Sequence, residues 1–183
     1  MKRALLAAVL LVPALAHADS PSPYAGEQHR AIKALSAKEI DDLAAGRGMG
    51  LAKAAELNGY PGPLHVLELA ERLTLTQEQH AETQALFDAM KADAKRLGAA
   101  VLEAERDLDR SFAAGTIDEN ALREKLDALA ALQGELRFVH LRTHLAQAAL
   151  LTADQRKRYD TLRGYAGAPS AAGEHHSPGP RAH

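Results

Sequence analysis

The residues with the most potential for chemistry are two histidines near the end of a long helical pattern. His140 and His144 lie four residues apart in the run HLRTH. On a helix, this spacing places two imidazoles on one face roughly 6 Å apart, which suits two ligands of one transition metal. Imidazole nitrogens bind Zn, Cu, Ni or Co. The pair therefore predicts a transition-metal site.

Two other side chains can complete this site. If the chain turns near residue 115 and its two long segments run antiparallel, residues 140 and 144 lie roughly opposite residues 91 and 87, which brings Met90 within reach. A thioether ligand favours copper- or nickel-type chemistry. His65, on an earlier short helix, closes the site if that helix folds back over its open end.

The histidines also have a purely structural interpretation. His140 lies next to the apolar seam and can be a histidine at the edge of the core that hydrogen-bonds a carbonyl or a carboxylate. His80 is expected on an outer, solvated turn. Three more histidines lie in the Pro-containing tail, where a solvated end is favoured over a loose metal site. They are His175, His176 and His183.

Motifs for catalysis are missing from the sequence. It contains no HExxH, no nucleophile elbow and no phosphate loop. Acidic pairs such as Glu103 and Glu105 lie two residues apart, point to different helix faces and are expected to be solubilising surface charge. The sequence therefore predicts a protein that is not an enzyme.

The elements that must position the donors are helices. Four predicted helices begin with a capping box, a Ser or Thr followed three residues later by Glu or Gln, and two shorter ones do not. Two exceed 30 residues and are separated only by a break at Gly115, so they must form an antiparallel hairpin. The predicted fold is all-α, a long helical hairpin with short flanking helices. The predicted ranges are 36–45, 51–57, 65–73, 76–114, 116–150 and 152–164.

Apolar residues spaced alternately by three and four predict the buried seam of this hairpin. On the first long helix they are Phe87, Met90, Ala94, Leu97, Val101, Ala104 and Leu108. On the second they are Leu122, Leu126, Leu129, Leu132, Leu136, Val139 and Thr143, with Leu150 at the end. The glycines of residues 46–50 lack the spacing of a phosphate loop and predict a hinge.

The first 18 residues predict export. Residues 1–3 are positively charged at two positions, residues 4–16 are apolar, and residues 16–18 place alanines at the −3 and −1 positions of a cleavage site. The apolar run is shorter than the roughly 20 residues that span a bilayer. Cleavage after Ala18 therefore predicts a periplasmic protein that does not span the membrane.

The mature composition limits partners and stabilising chemistry. Removing Lys2 and Arg3 leaves 20 basic and 24 acidic residues, a net charge of −4, and no basic block appears, so nucleic acid is not expected. With no cysteine there is no disulfide, and stability must come from helix packing. The predicted organisation is a loose segment with short helices over 19–60, a hairpin domain over 61–165 and a disordered tail over 166–183.

Two helix starts share one five-residue form, LTQEQ and LTADQ. The shared positions are Leu75, Thr76 and Gln79 in the first, and Leu151, Thr152 and Gln155 in the second. Two copies 76 residues apart, bracketing a helical hairpin behind a signal peptide, resemble the Spy/CpxP superfamily with its paired LTxxQ motifs. The resemblance covers residues 62–165. It implies a bent helical hairpin that usually forms a homodimer with a cradle shape.

Within that superfamily, the chain looks nearest to the periplasmic heavy-metal sensors. Those proteins have a histidine before the first motif, where this chain has His65, and a ligand pair before the second, where it has His140 and His144. Leu69 stands where the sensor pattern has another histidine. A carboxylate expected near Phe87 is out of register, and the nearest side chains are Asp88 and Met90.

Three functions are considered, of which the resemblance implies the first two. The first is a metal-responsive protein of heavy-metal resistance within an envelope stress response. The alternative is an ATP-independent periplasmic holdase chaperone for unfolded proteins. A third is a helical module that docks to a membrane sensor.

Overall fold

A computed structural model describes residues 22–166, and within them every regular element is helical. After a 3-10 turn at Glu27–His29 come six α-helices. They are α1 (Ala37–Ala44), α2 (Lys53–Glu56), α3 (Pro63–Glu68), α4 (Gln77–Ala113), α5 (Glu119–Leu150) and α6 (Ala153–Leu162). The all-α prediction is confirmed. The predicted signal peptide, and the predicted tail beyond Ala166, lie outside the described residues.

Three of the four predicted capping boxes form. At the start of α4, Thr76 Oγ1 accepts the Gln79 N–H at 3.1 Å, and Gln79 Oε1 accepts the Thr76 N–H at 3.1 Å. Thr152 and Gln155 repeat this arrangement at α6, and Ser36 with Glu39 does so at α1. Each box satisfies two amides that a helix start leaves without an intrahelical partner.

The fourth predicted box, beginning at Thr116, is wrong. The N-cap of α5 is Asp118, whose Oδ1 accepts the Ala121 N–H at 2.8 Å. Gly115 adopts a positive φ of 63° after the end of α4, so the turn takes more residues and α5 begins two positions later. Aspartate is as good an N-cap as threonine, so local sequence did not separate the two.

Helix α3 begins two residues earlier than predicted. Pro63 occupies its first position after the Gly62 N-cap. Proline is tolerated there because the first N–H of a helix has no intrahelical partner.

The hairpin of α4 and α5 forms the main core along the predicted seam. Eight seam residues are buried, including one polar residue, and Phe87, Ala104 and Leu132 pack against the cluster. The buried eight are Met90, Ala94, Leu97, Val101, Leu129, Leu136, Val139 and Thr143. Leu126 was expected in the seam but is 42% exposed.

The segment before residue 60, predicted to be loose, packs on the hairpin. Ile32 is fully buried and Leu43 nearly so, and both belong to the hairpin core. Helix α1 approaches α4 closely at Gly98, where a Cβ would meet the carbonyl oxygen of Leu43 and come within 2.8 Å of its carbonyl carbon. Only glycine leaves room for this crossing.

A second apolar cluster closes the open end of the hairpin. Leu151 of the second LTxxQ motif is buried there with Val66, Leu73 and Tyr159, and Leu75 of the first motif packs against it. The glutamines of the two motifs meet beside it. Gln79 Nε2 donates to Gln155 Oε1 at 2.9 Å, and Gln155 Nε2 donates to Gln79 Oε1 at 2.9 Å. The two motifs are therefore joined by a reciprocal amide pair.

We expect Gly98→Ala to lower the free energy of unfolding by about 3 kcal/mol, since the added methyl meets rigid backbone. Gly134→Ala is the matched control on α5, because its added Cβ would meet nothing within 4 Å. The control should gain about 1 kcal/mol, as alanine does in an exposed helix. Urea denaturation of both variants measures the difference. Equal effects would show that α1 does not cross α4 at this point.

Candidate functional site

The four predicted donors line one cleft. It has a volume of about 490 Å³ and lies between residues 46–65 and the middle of the hairpin. His140 and His144 enter from α5, Met90 from α4 and His65 from α3. Phe87 also lines it, one turn before Met90 on α4.

His144 is held in one tautomer. The residue is 7% exposed, and its Nδ1 lies 2.8 Å from the carbonyl oxygen of Tyr60. A carbonyl only accepts, so Nδ1 must donate, and in the neutral ring Nε2 carries a free lone pair. Gly62 covers this edge of the ring, where a Cβ would lie 3.1 Å from Nε2. Metal-binding histidines typically hold the second ring nitrogen in this way.

His140 is buried without the partner that a structural histidine needs. It is 3% exposed, and no described residue hydrogen-bonds its buried Nε2. Burial lowers the pKa of His140, and His144 and Lys91 lower it further. The ring is therefore neutral at neutral pH. The structural interpretation, a histidine that hydrogen-bonds a carbonyl, describes His144 but leaves this nitrogen unexplained.

The remaining two donors differ in environment. Met90 is 9% exposed and belongs to the hairpin core. The side chain of His65 is 34% exposed, and its Nδ1 lies 2.8 Å from Glu68 Oε2. Within residues 22–166, no three His, Asp or Glu side chains are close enough to share a metal ion. His65 therefore does not converge with His140 and His144 on one ion in this structure, and the buried donors in the cleft are two imidazoles and a thioether.

Other residues considered from the sequence lie elsewhere. Asp88 is exposed and accepts a hydrogen bond from Gln84, so it does not line the cleft. Leu69 packs in the second apolar cluster. His80 is exposed, as expected.

Glu56 connects the cleft to α6, and it was not among the residues predicted from the sequence. Its Oε1 accepts hydrogen bonds from Tyr159 at 2.6 Å and Tyr165 at 3.1 Å, and lies 3.4 Å from Arg163 Nε. Its Oε2 accepts the Gly62 N–H at 3.2 Å. This carboxylate fixes the backbone that covers His144. Its helix is only four residues long, and nothing in the sequence marks the position as buried.

Comparison with known proteins identifies a family. A family model described as LTXXQ motif family protein matches residues 64–163. No curated protein and no solved structure matches the chain. None of the helices among residues 22–166 has the length and apolar character needed to cross a membrane.

The depressed pKa of His140 predicts a loss of stability in weak acid. The unfolded chain takes up the proton first, so stability is present above the ordinary histidine pKa of about 6.5 and is lost as the pH falls through it. His140→Leu should flatten this part of the curve, while His80→Leu, at an exposed site, should leave it unchanged. Urea denaturation between about pH 7.5 and pH 5.5, with a chelator present, provides the measurement. Identical slopes for wild type and His140→Leu would contradict the burial of a neutral ring.

Proposed function

The chain belongs to the LTXXQ motif family, and we propose that it is a metal-responsive protein of the bacterial cell envelope. Members of this family are Spy/CpxP-like, non-enzymatic periplasmic proteins. His140 and His144 hold a transition metal ion in the cleft, with the Met90 thioether as third ligand. His65 lines the same cleft but is not one of the three ligands, because no third His, Asp or Glu side chain among residues 22–166 is close enough to share the ion. Residues 1–18 serve as the cleaved leader.

One observation carries this proposal. Two buried imidazoles on successive turns of α5 line one cleft, and the buried Nε2 of one of them, His140, has no hydrogen-bond partner among the described residues. A buried polar atom without a partner is unfavourable by about 1–3 kcal/mol. A metal ion would satisfy the His140 nitrogen and take the His144 Nε2 as its second ligand. The His140, His144 and Met90 side chains therefore suit a transition metal ion.

The donor set and the surrounding charge favour one ion among Zn, Cu, Ni and Co. Two imidazoles and a thioether form a soft set, which suits Cu⁺. Cationic side chains outnumber anionic ones in the lining of the cleft, which opposes a doubly charged ion more than a singly charged one. The cations are Arg47, Lys53, Lys91 and Arg163, and Glu56 is the only acid among the described lining residues.

Binding would act on the segment that covers the cleft. His144 is tied to the Tyr60 carbonyl, and a Cβ at Gly48 would lie 3.9 Å from the His140 ring. An ion on both rings favours the packing in which residues 46–62 close over them. The bound and free proteins then differ in the population of that packing, which a partner can recognise.

We expect one Cu⁺ per chain, bound more tightly than Zn²⁺, Ni²⁺ or Co²⁺, in competition with a chromophoric Cu⁺ chelator. Replacing both histidines (His140→Leu, His144→Leu) should weaken Cu⁺ binding by about 100-fold or more, since two of three ligands are lost. Met90→Leu should weaken Cu⁺ more than Zn²⁺, because only the soft ion gains from sulfur. His80→Leu is the control. If the double variant binds Cu⁺ as tightly as wild type, the assignment is wrong.

An ATP-independent holdase is the second candidate function. Phe138 is 54% exposed and Leu145 is 58% exposed, seven residues apart on the same side of α5. Arg142 lies between them, 5.7 Å from the Phe138 ring, and pairs with Asp93 at 2.7 Å. Exposed apolar groups beside charge offer a surface for unfolded chains or for a second copy of the protein, as the resemblance implies.

The holdase function predicts suppressed aggregation of a denatured client at near-stoichiometric ratios in the presence of EDTA. The variant Phe138→Ser, Leu145→Ser should lose this protection, because it removes the apolar surface from α5. Phe112→Ser, at the far end of the hairpin and 57% exposed, is the matched control. Light scattering reports the result. Protection that requires added metal, or that survives in the double variant, would exclude this surface as the client site.

A further inference from the structure

A second cavity lies between the N-terminal segment and the hairpin. Its volume is about 510 Å³, within the range of small-molecule sites. Most of its lining is apolar, contributed by Leu35, Leu43, Leu51, Val101 and Leu136. Glu105, from α4, is the only acidic side chain among the described lining residues.

Glu105 is buried and unpaired. It is only 9% exposed, and no hydrogen bond or ion pair joins its carboxylate to any described residue. Its acidic neighbours on α4 differ: Glu103 pairs with Arg110 at 2.9 Å, and Asp109 pairs with Lys33 at 2.9 Å. The expectation that Glu105 is solubilising surface charge is therefore wrong, because its face of α4 is covered by the N-terminal segment.

No described cation compensates this carboxylate. Lys33, in the segment before α1, is held by Asp109 at 2.9 Å. Arg137 lines the cavity from α5, but it is exposed and forms no ion pair with Glu105. Burial raises the pKa of Glu105. Because the carboxylate has lost much of its contact with water and has no ion-pair partner, a bound cation would be stabilised there.

We propose that this cavity binds a small amphipathic primary amine, with its ammonium group on the Glu105 carboxylate and its alkyl chain against the leucines. The carboxylate supplies the charge-assisted hydrogen bond, and the apolar walls supply the burial of the chain. A neutral alcohol of the same length can gain only the second contribution. An alkyl carboxylate would meet like charge and is rejected.

The site is separate from the histidine cleft and does not depend on metal binding. Two methionines of the chain distinguish the two places. Met49 lines both the second cavity and the histidine cleft, whereas Met90 lines only the histidine cleft. Methyl NMR of methionine-labelled protein therefore locates a ligand without mutation.

The test is titration of the purified protein with n-hexylammonium at about pH 7.5, where the amine is charged, with 1-hexanol as the neutral isostere. Calorimetry gives the affinity, and the two methionine methyl signals give the location. Glu105→Gln keeps the shape of the side chain and removes its charge. Glu103→Gln, two residues away and exposed, is the matched control.

We expect hexylammonium to shift the Met49 methyl signal and leave that of Met90 in place. Its affinity should fall by about tenfold or more in Glu105→Gln and stay unchanged in Glu103→Gln. Hexanol should bind wild type and Glu105→Gln equally, which also shows that the variant keeps its cavity. The proposal is overturned if Glu105→Gln binds hexylammonium as well as wild type, if hexanol binds wild type as tightly, or if the Met90 signal moves, alone or together with that of Met49.

Discussion

The amide pair between Gln79 and Gln155 joins the start of α4 to the start of α6. An amide carries a donor and an acceptor, so each glutamine closes its own capping box through Oε1 and reaches the other motif through Nε2. Each Nε2 also donates to a main-chain carbonyl, Leu150 from Gln79 and Leu73 from Gln155. A glutamate in either place would keep the cap and still accept from the other glutamine, but it would lose its own donation to the other motif and to the main-chain carbonyl. This explains why the repeated motif ends in glutamine.

Joining the helices at the open end of the hairpin also affects how α5 packs against α4. With the starts of α4 and α6 held together, the face of α5 that carries His140 and His144 must lie along the Met90 side of α4. The N-terminal segment then covers this face, crossing at Gly98 and carrying the Tyr60 carbonyl to His144. The cleft is thus assembled from three parts of the chain that are distant in sequence.

Local signals in the sequence predicted the elements, and long-range packing decided the rest. The capping boxes and the seam needed only neighbouring residues, which is why the bounds of α4 and α6 were predicted closely. The burial of Glu105 and of Glu56 depends on segments some 50 or more residues away, and charge at those positions looks solvated from sequence. The four predicted donors do line one cleft, as the sequence predicted. The hydrogen bond of His144 to the Tyr60 carbonyl and the missing partner of His140 Nε2 depend on distant segments, so the sequence did not predict them.

The most direct measurement is the free energy of unfolding of Gln79→Glu in urea at about pH 7, compared with Gln77→Glu at the exposed first position of the same helix. The substitution keeps the acceptor of the capping box and removes the donors to Leu150 and Gln155. A loss of about 2 kcal/mol relative to the control, for two part-buried bonds, is the predicted result. Equal stability of the two variants would show that the motifs act only as separate helix caps.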